Sequence, residues 1–107
     1  MKIFEIKPYH ISLLSKAYVT WNEMEFGAPS IDPKRPYGNS DVYSDISEVL
    51  GFTKKNDEYS AKEYAKMSEV HNQLTIALQI ILQNLGKSEY IGLWQSVDYG
   101  VTWKPQD

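Results

Sequence analysis

The chain has 107 residues, 42% of them hydrophobic and 23% charged, and a formal net charge of -3. That balance predicts one folded domain over 1–107, far from the low-hydrophobicity composition of disordered chains, and the acidic surplus argues against duplex nucleic acid as a partner. Without cysteine there is no disulfide, iron-sulfur or thiolate zinc chemistry. No apolar run approaches the roughly 18 residues of a membrane span, and the first residues lack the apolar stretch of a signal peptide, so the expectation is a cytoplasmic protein with no membrane partner.

Ile3, Phe4 and Ile6 form a short apolar run closed by Lys7-Pro8, which suits a strand followed by a helix with proline in its first turn. Ile11, Leu14, Tyr18 and Trp21 then fall at helical spacing, and the helix is expected to end between Asn22 and Phe26, before Gly27. Residues 26 to 41 follow as a loop with three prolines, two glycines and Arg35, the one arginine of the chain. A connection of more than about 12 residues without secondary structure is uncommon unless it is functional or disordered, and the prolines and aromatic residues argue against disorder.

Asn39 or Ser40 is a good N-cap for a second helix, with Asp41 at the positive end of its dipole, an apolar stripe of Val42, Ile46, Val49 and Leu50, and Gly51 placed for a left-handed cap. Residues 53 to 59 read as a charged connector. Ser60-Ala61-Lys62-Glu63 is a capping box that opens a long helix running to about Leu85, with Gly86 as its stop. From Val70 to Gly86 that helix carries no formal charge. Its apolar residues nearly encircle it and leave a narrow neutral stripe of Asn72, Thr75, Gln79 and Gln83, so either the rest of the domain wraps it or a second copy covers it through 70–86. Beyond Lys87, Ile91, Leu93, Val97, Tyr99, Val101 and Trp103 share one parity, which predicts a strand or hairpin that buries that face, with Gly100 at a turn or bulge. Pairing of this segment with the N-terminal run gives a mainly helical α+β domain with about three helices, the last one long and central.

The stretch Trp21 to Pro29, the string Pro33-Lys34-Arg35-Pro36-Tyr37-Gly38-Asn39-Ser40-Asp41-Val42 and the helix Ile76 to Gln83 together resemble a group of short, mostly uncharacterised proteins of bacteriophage and prophage genomes. The proline-rich string is the specific part of the likeness. The resemblance carries over no catalytic residue. It implies a small accessory protein made in an infected bacterium, where antagonism of host defence is a common role, and it favours binding over catalysis.

Backbone N–H groups after Ser40, with Gly38 and the fork of Arg35, suit a phosphate, and Tyr37 or Trp21 can stack on a base. Trp21, Lys34, Arg35, Tyr37, Asn39, Ser40 and Asp41 therefore form the expected ligand site. Asp41 opposes an anion unless it points away or meets a ribose hydroxyl. The competing structural role is that Arg35 pairs with Glu23, Glu25 or Asp45 and pins the loop. Asp41, Asp45 and Glu48 share one helical face, which suits solvation better than magnesium or acid–base work. His10 and His71 fit no ligand motif and are expected to be buried or at an interface. Trp94, Tyr99 and Trp103 suit a core better than a stacking or protein-binding platform. No serine stands in a nucleophile motif.

The sequence thus predicts a non-catalytic protein that sequesters a phosphorylated small molecule, such as a host immune signalling nucleotide, without a cofactor or metal. The alternative is a protein–protein inhibitor of a host defence enzyme, and the third reading is a metal-dependent enzyme that modifies a nucleotide.

Overall fold

The computed structural model of the protein describes the backbone of residues 1–17, 19–22, 28–31, 39–56, 58–87 and 89–106, and the side chains of 1–16, 42–56, 58–87 and 89–106. In chain order the elements are β1 (Lys2–Ile6), α1 (Pro8–Ala17), β2 (Val19–Asn22), β3 (Ala28–Ile31), α2 (Asn39–Leu50), α3 (Ala61–Gln83), β4 (Gly92–Ser96) and β5 (Lys104–Pro105). This is the expected mainly helical α+β domain. β4 is the middle strand of an antiparallel sheet ordered β1-β4-β5, and β2 pairs with β3 in a separate ribbon.

The helix boundaries follow local chemistry. α2 stops where the Gly51 N–H bonds the Glu48 carbonyl and the Phe52 N–H bonds that of Ser47, with Gly51 at φ 75°. That paired closure needs a left-handed residue after the helix, which glycine adopts at no steric cost. At the start of α3, Ser60 Oγ accepts from the Glu63 N–H at 3.2 Å and Glu63 Oε1 accepts from the Ser60 N–H at 3.0 Å, the reciprocal box read from the sequence.

Two expectations need correction. The first helix ends at Ala17, and Val19–Asn22 is a strand paired with Ala28–Ile31 in the register Val19↔Ile31 to Asn22↔Ala28. The Val-Thr-Trp run carries β-branched and aromatic preference, and pairing with β3 outweighs the continued helical spacing of Trp21. β3 also shortens the supposed loop, since four of its residues are in a strand. The second correction concerns parity near the C-terminal end. β4 buries Trp94 and Ser96, whereas Ile91, Leu93, Val97, Tyr99 and Val101 are exposed and Trp103 alone of the expected set is in the core. β4 ends at Ser96, and the turn that follows resets the phase, so a run of alternate apolar residues across 91–103 is not one strand. The indole of Trp94 is also the larger group to remove from water, and its N–H finds the Tyr90 carbonyl at 2.8 Å.

The core joins Leu13 and Leu14 of α1, Val42 and Ile46 of α2, and Ile6, Trp94 and Trp103 from the sheet region to six buried residues of α3: Met67, Val70, Leu74, Ala77, Ile80 and Ile81. The domain therefore wraps most of the uncharged helix, leaving Leu82 and Leu85 exposed toward its end. No helix among the described residues is long and apolar enough to cross a membrane.

His10 is buried inside this frame. Its Nδ1 accepts from the Lys7 N–H at 2.9 Å and its Nε2 lies 2.9 Å from Gln73 Oε1, which also accepts from the Tyr9 hydroxyl at 3.1 Å. The backbone N–H can only donate, so the ring is neutral with its proton on Nε2. Burial holds its pKa below the ordinary 6.5, against a smaller opposing effect of the Gln73 bond. The unfolded chain then takes up a proton at a pH where the folded chain does not, so stability present above about pH 6.5 is lost as pH falls toward the folded value. A melting series between pH 8 and 5 is expected to decline below about 6.5, with a shallower decline in His10→Asn. Gln73→Ala leaves the Nε2 proton without its acceptor and should cost about 1–3 kcal/mol in chemical denaturation.

Candidate functional site

Of the residues expected to bind a ligand, Lys34, Arg35 and Tyr37 lie outside the described residues, as do Glu23, Glu25 and Asp32. Trp21 belongs to β2, and Asn39, Ser40 and Asp41 open α2, but their side chains also lie outside the described set. The α2 dipole does begin where expected. Asp45 is half-buried and Glu48 exposed, and among the described residues no three His, Asp or Glu side chains gather closely enough to hold a metal ion.

One turn along α2 from those residues, the structure forms a pocket that the sequence did not reveal. Tyr43 and Ser44 of α2, Lys54 and Tyr59 of the connector and Tyr64 in the first turn of α3 line a hollow of about 270 Å³. Each ring is braced. Tyr43 stacks on His71 with centroids 5.5 Å apart and planes at 14°, and its hydroxyl is 3.1 Å from Ser68 Oγ. The Tyr59 hydroxyl donates to Ser47 Oγ at 2.8 Å, and Ser47 Oγ donates in turn to the Ser44 carbonyl at 2.8 Å. Tyr64 meets the Tyr59 ring edge to face at 5.6 Å and 87°. Lys54 Nζ stands 5.5 Å from the Tyr59 centroid, within reach of a cation–π attraction.

Among the described lining residues Lys54 is the sole charge. Neighbouring hollows differ. The one of about 450 Å³ over Phe52 and Thr53 mixes Lys55 with Glu58 and Glu63. Another of about 380 Å³ beside Ala65 has Lys62 and Lys66 facing Glu63 and Glu69, with Lys66 Nζ already 3.4 Å from Glu69 Oε2. In the second the charges balance and in the first the acids outnumber the lysine, with Glu63 committed to the α3 cap. The tyrosine pocket combines one cation that has no ion pair among the described residues with aromatic walls held in place, an arrangement suited to a flat ring carrying an anionic group. Its residues come from three elements and share no spacing, so the connector's charge was the one signal that the sequence offered.

The C-terminal aromatics divide. Trp94 and Trp103 are core, while Tyr99 is 90% exposed at φ 62°, next to Gly100 at φ 89°. Asp98 holds the turn beneath it: Oδ1 accepts from Ser96 Oγ at 2.7 Å and from the Thr102 N–H at 2.9 Å, and Oδ2 accepts from the Thr102 hydroxyl. These bonds, those of Thr102 foremost, bring the Asp98 carboxyl down to about 2. A left-handed tyrosine is costly for an L-residue, and here the local network fixes it.

No protein family, curated protein or solved structure was found to match the chain.

Proposed function

We propose that this chain is a non-catalytic accessory protein of phage type that binds and sequesters a phosphorylated small molecule, a nucleotide of host anti-phage signalling, in the cytoplasm of an infected bacterium. The observation that carries this reading is the braced pocket of Tyr43, Tyr59 and Tyr64 with Lys54 as its one charged described wall. A base stacks against the tyrosines and the phosphate pairs with Lys54. Its volume suits a base with part of its sugar, so the remainder of the ligand leaves the hollow, and Trp21, Lys34, Arg35, Tyr37, Asn39, Ser40 and Asp41 are the residues expected to meet it. Rings fixed before binding lose little freedom on binding, which favours the tight retention that sequestration requires.

Titration of adenosine monophosphate and of adenosine against the purified chain tests the pocket. Lys54→Gln is expected to weaken the monophosphate by about tenfold, the scale of one charge-assisted contact, while leaving adenosine unchanged. Equal binding by wild type and variant would remove Lys54 from the site. Arg35→Ala, with an unaltered melt and lost nucleotide, would extend the site into the 32–38 segment. Mass spectrometry of small molecules released by heating protein from infected cells identifies the physiological ligand.

A second reading, inhibition of a host defence enzyme through protein contact, rests on Tyr99. With Val97 at 77% and Val101 at 63% exposure, the turn presents an exposed aromatic on a hydrogen-bonded backbone, flanked by apolar groups, the kind of anchor that dominates interface energies. Under this reading Tyr99→Ala leaves the melt nearly unchanged, removes a co-purifying host protein and has no effect on nucleotide retention.

A further inference from the structure

An antiparallel sheet with one face in solvent ordinarily places polar side chains on that face. The β1-β4-β5 sheet does so only in part. Residues directly opposite one another in an antiparallel pair point to the same side, so the pairings Ile3↔Gln95, Glu5↔Leu93 and Gln95↔Lys104 put these five side chains on one face. Phe4, Ile6, Trp94 and Ser96 alternate with them and turn toward the core. On the outer face Ile3 is 46% and Leu93 49% exposed, and the register makes them diagonal neighbours. Ile91 and Val97, at the two ends of β4, are exposed as well. Apolar surface therefore runs across this side of the sheet and stays open to water.

The charges on the same face are arranged at its borders. Glu5 stands on β1 and Lys104 on β5, one residue pair apart along the strands, with Leu93 and Gln95 of β4 between them. Both are exposed, and neither has an ion-pair partner among the described residues. Within the paired strands the outer face thus carries one acid and one base and no net charge. An anionic lipid surface or a polyanion calls for a surplus of positive charge, which this face lacks. A second copy of the same face supplies at each border the charge that is missing there.

We propose that the outer face of the sheet docks a second copy of this chain, the two sheets packing face to face about a two-fold axis that runs along β4. That axis lays β1 of one copy over β5 of the other. The stem of Lys104 then crosses Ile3 and its ammonium reaches Glu5 of the opposite copy, twice by symmetry, while Leu93 meets its counterpart and the two Gln95 amides donate to and accept from one another. Sheets packed in this way stack about 10 Å apart with their strands within about 30° of each other, a gap that side chains from both faces fill. An axis across the strands would instead lay β1 over β1, drawing Glu5 toward Glu5 and Lys104 toward Lys104, so the charges select the axis along β4. The surface is separate from the tyrosine pocket and does not rest on the function proposed for it.

Sedimentation of the full chain between about 1 μM and about 1 mM is expected to show a monomer–dimer equilibrium. Lys104→Glu sets acid against acid and Glu5→Lys sets base against base, and each should weaken the dimer by about tenfold, because a two-fold interface feels every change twice. The double variant, Glu5→Lys with Lys104→Glu, restores opposite charges and is expected to associate as the wild type does. Leu93→Thr keeps strand preference while removing apolar contact and should also weaken the dimer. All three positions are exposed, so melts at the lowest concentration are expected to match the wild type; if Leu93→Thr melts early, the two charge variants decide. A chain that stays monomeric throughout overturns the proposal and leaves the face to a partner of another kind. A dimer indifferent to the single variants also overturns it and places the contact elsewhere, on the β1 border or along 70–86 of α3, and so does a double variant that fails to recover association.

Discussion

The segment from Tyr99 to Trp103 crosses the end of α3 with backbone groups that no strand pairs, and the glutamine stripe of the helix supplies their partners. Gln79 donates to the Gly100 and Val101 carbonyls, Gln83 donates to Val101 at 2.7 Å and accepts from Trp103, and Asn84 donates to the Trp103 carbonyl at 3.3 Å. One face further round, Gln73 accepts from Tyr9 and His10. A primary amide both donates and accepts without carrying charge, so it can cross-link backbone near a dry core where a lysine or glutamate would suffer desolvation. The absence of formal charge between Val70 and Gly86 thus has a structural cause. The helix is apolar where it packs and amide-bearing where it must hold irregular chain, and α1, the sheet and the C-terminal turn are fixed relative to one another through it.

Local chemistry made much of this fold legible. The Ser60 and Glu63 box, the Gly51 stop and Pro8 at the head of α1 are each specified by a few neighbouring residues, and each stands where the sequence indicated. The β1–β4 pairing followed from two apolar segments too short to be stable alone. Failures arose where tertiary partners decided between alternatives. Trp21 fits helical spacing and strand propensity equally well, and β3 resolved the choice. The parity of 91–103 looked continuous because the turn at Asp98 leaves apolar residues on the same count, although the chain has changed direction.

The candidate site was less legible. Proline richness and a lone arginine point to 26–41, whose side chains lie outside the described set, while the tyrosine pocket is assembled from Tyr43, Lys54, Tyr59 and Tyr64, which are adjacent only after α2 and α3 have packed. Tyrosine has no periodic signature when its role is to wall a surface hollow, and Ser47 gave no sign that it would support the ring of Tyr59 from within the core.

The sheet's two borders are unequal. β5 is two residues long and contains Pro105, which has no N–H to offer a further strand, while β1 presents five residues with no pairing on its outer side among those described. Endless growth by strand addition requires an open edge on both sides, so that each newcomer offers a fresh template. Among the described residues the three-stranded sheet thus offers one long border to a further strand, that of β1, while the β5 border is blunted by its shortness and its proline.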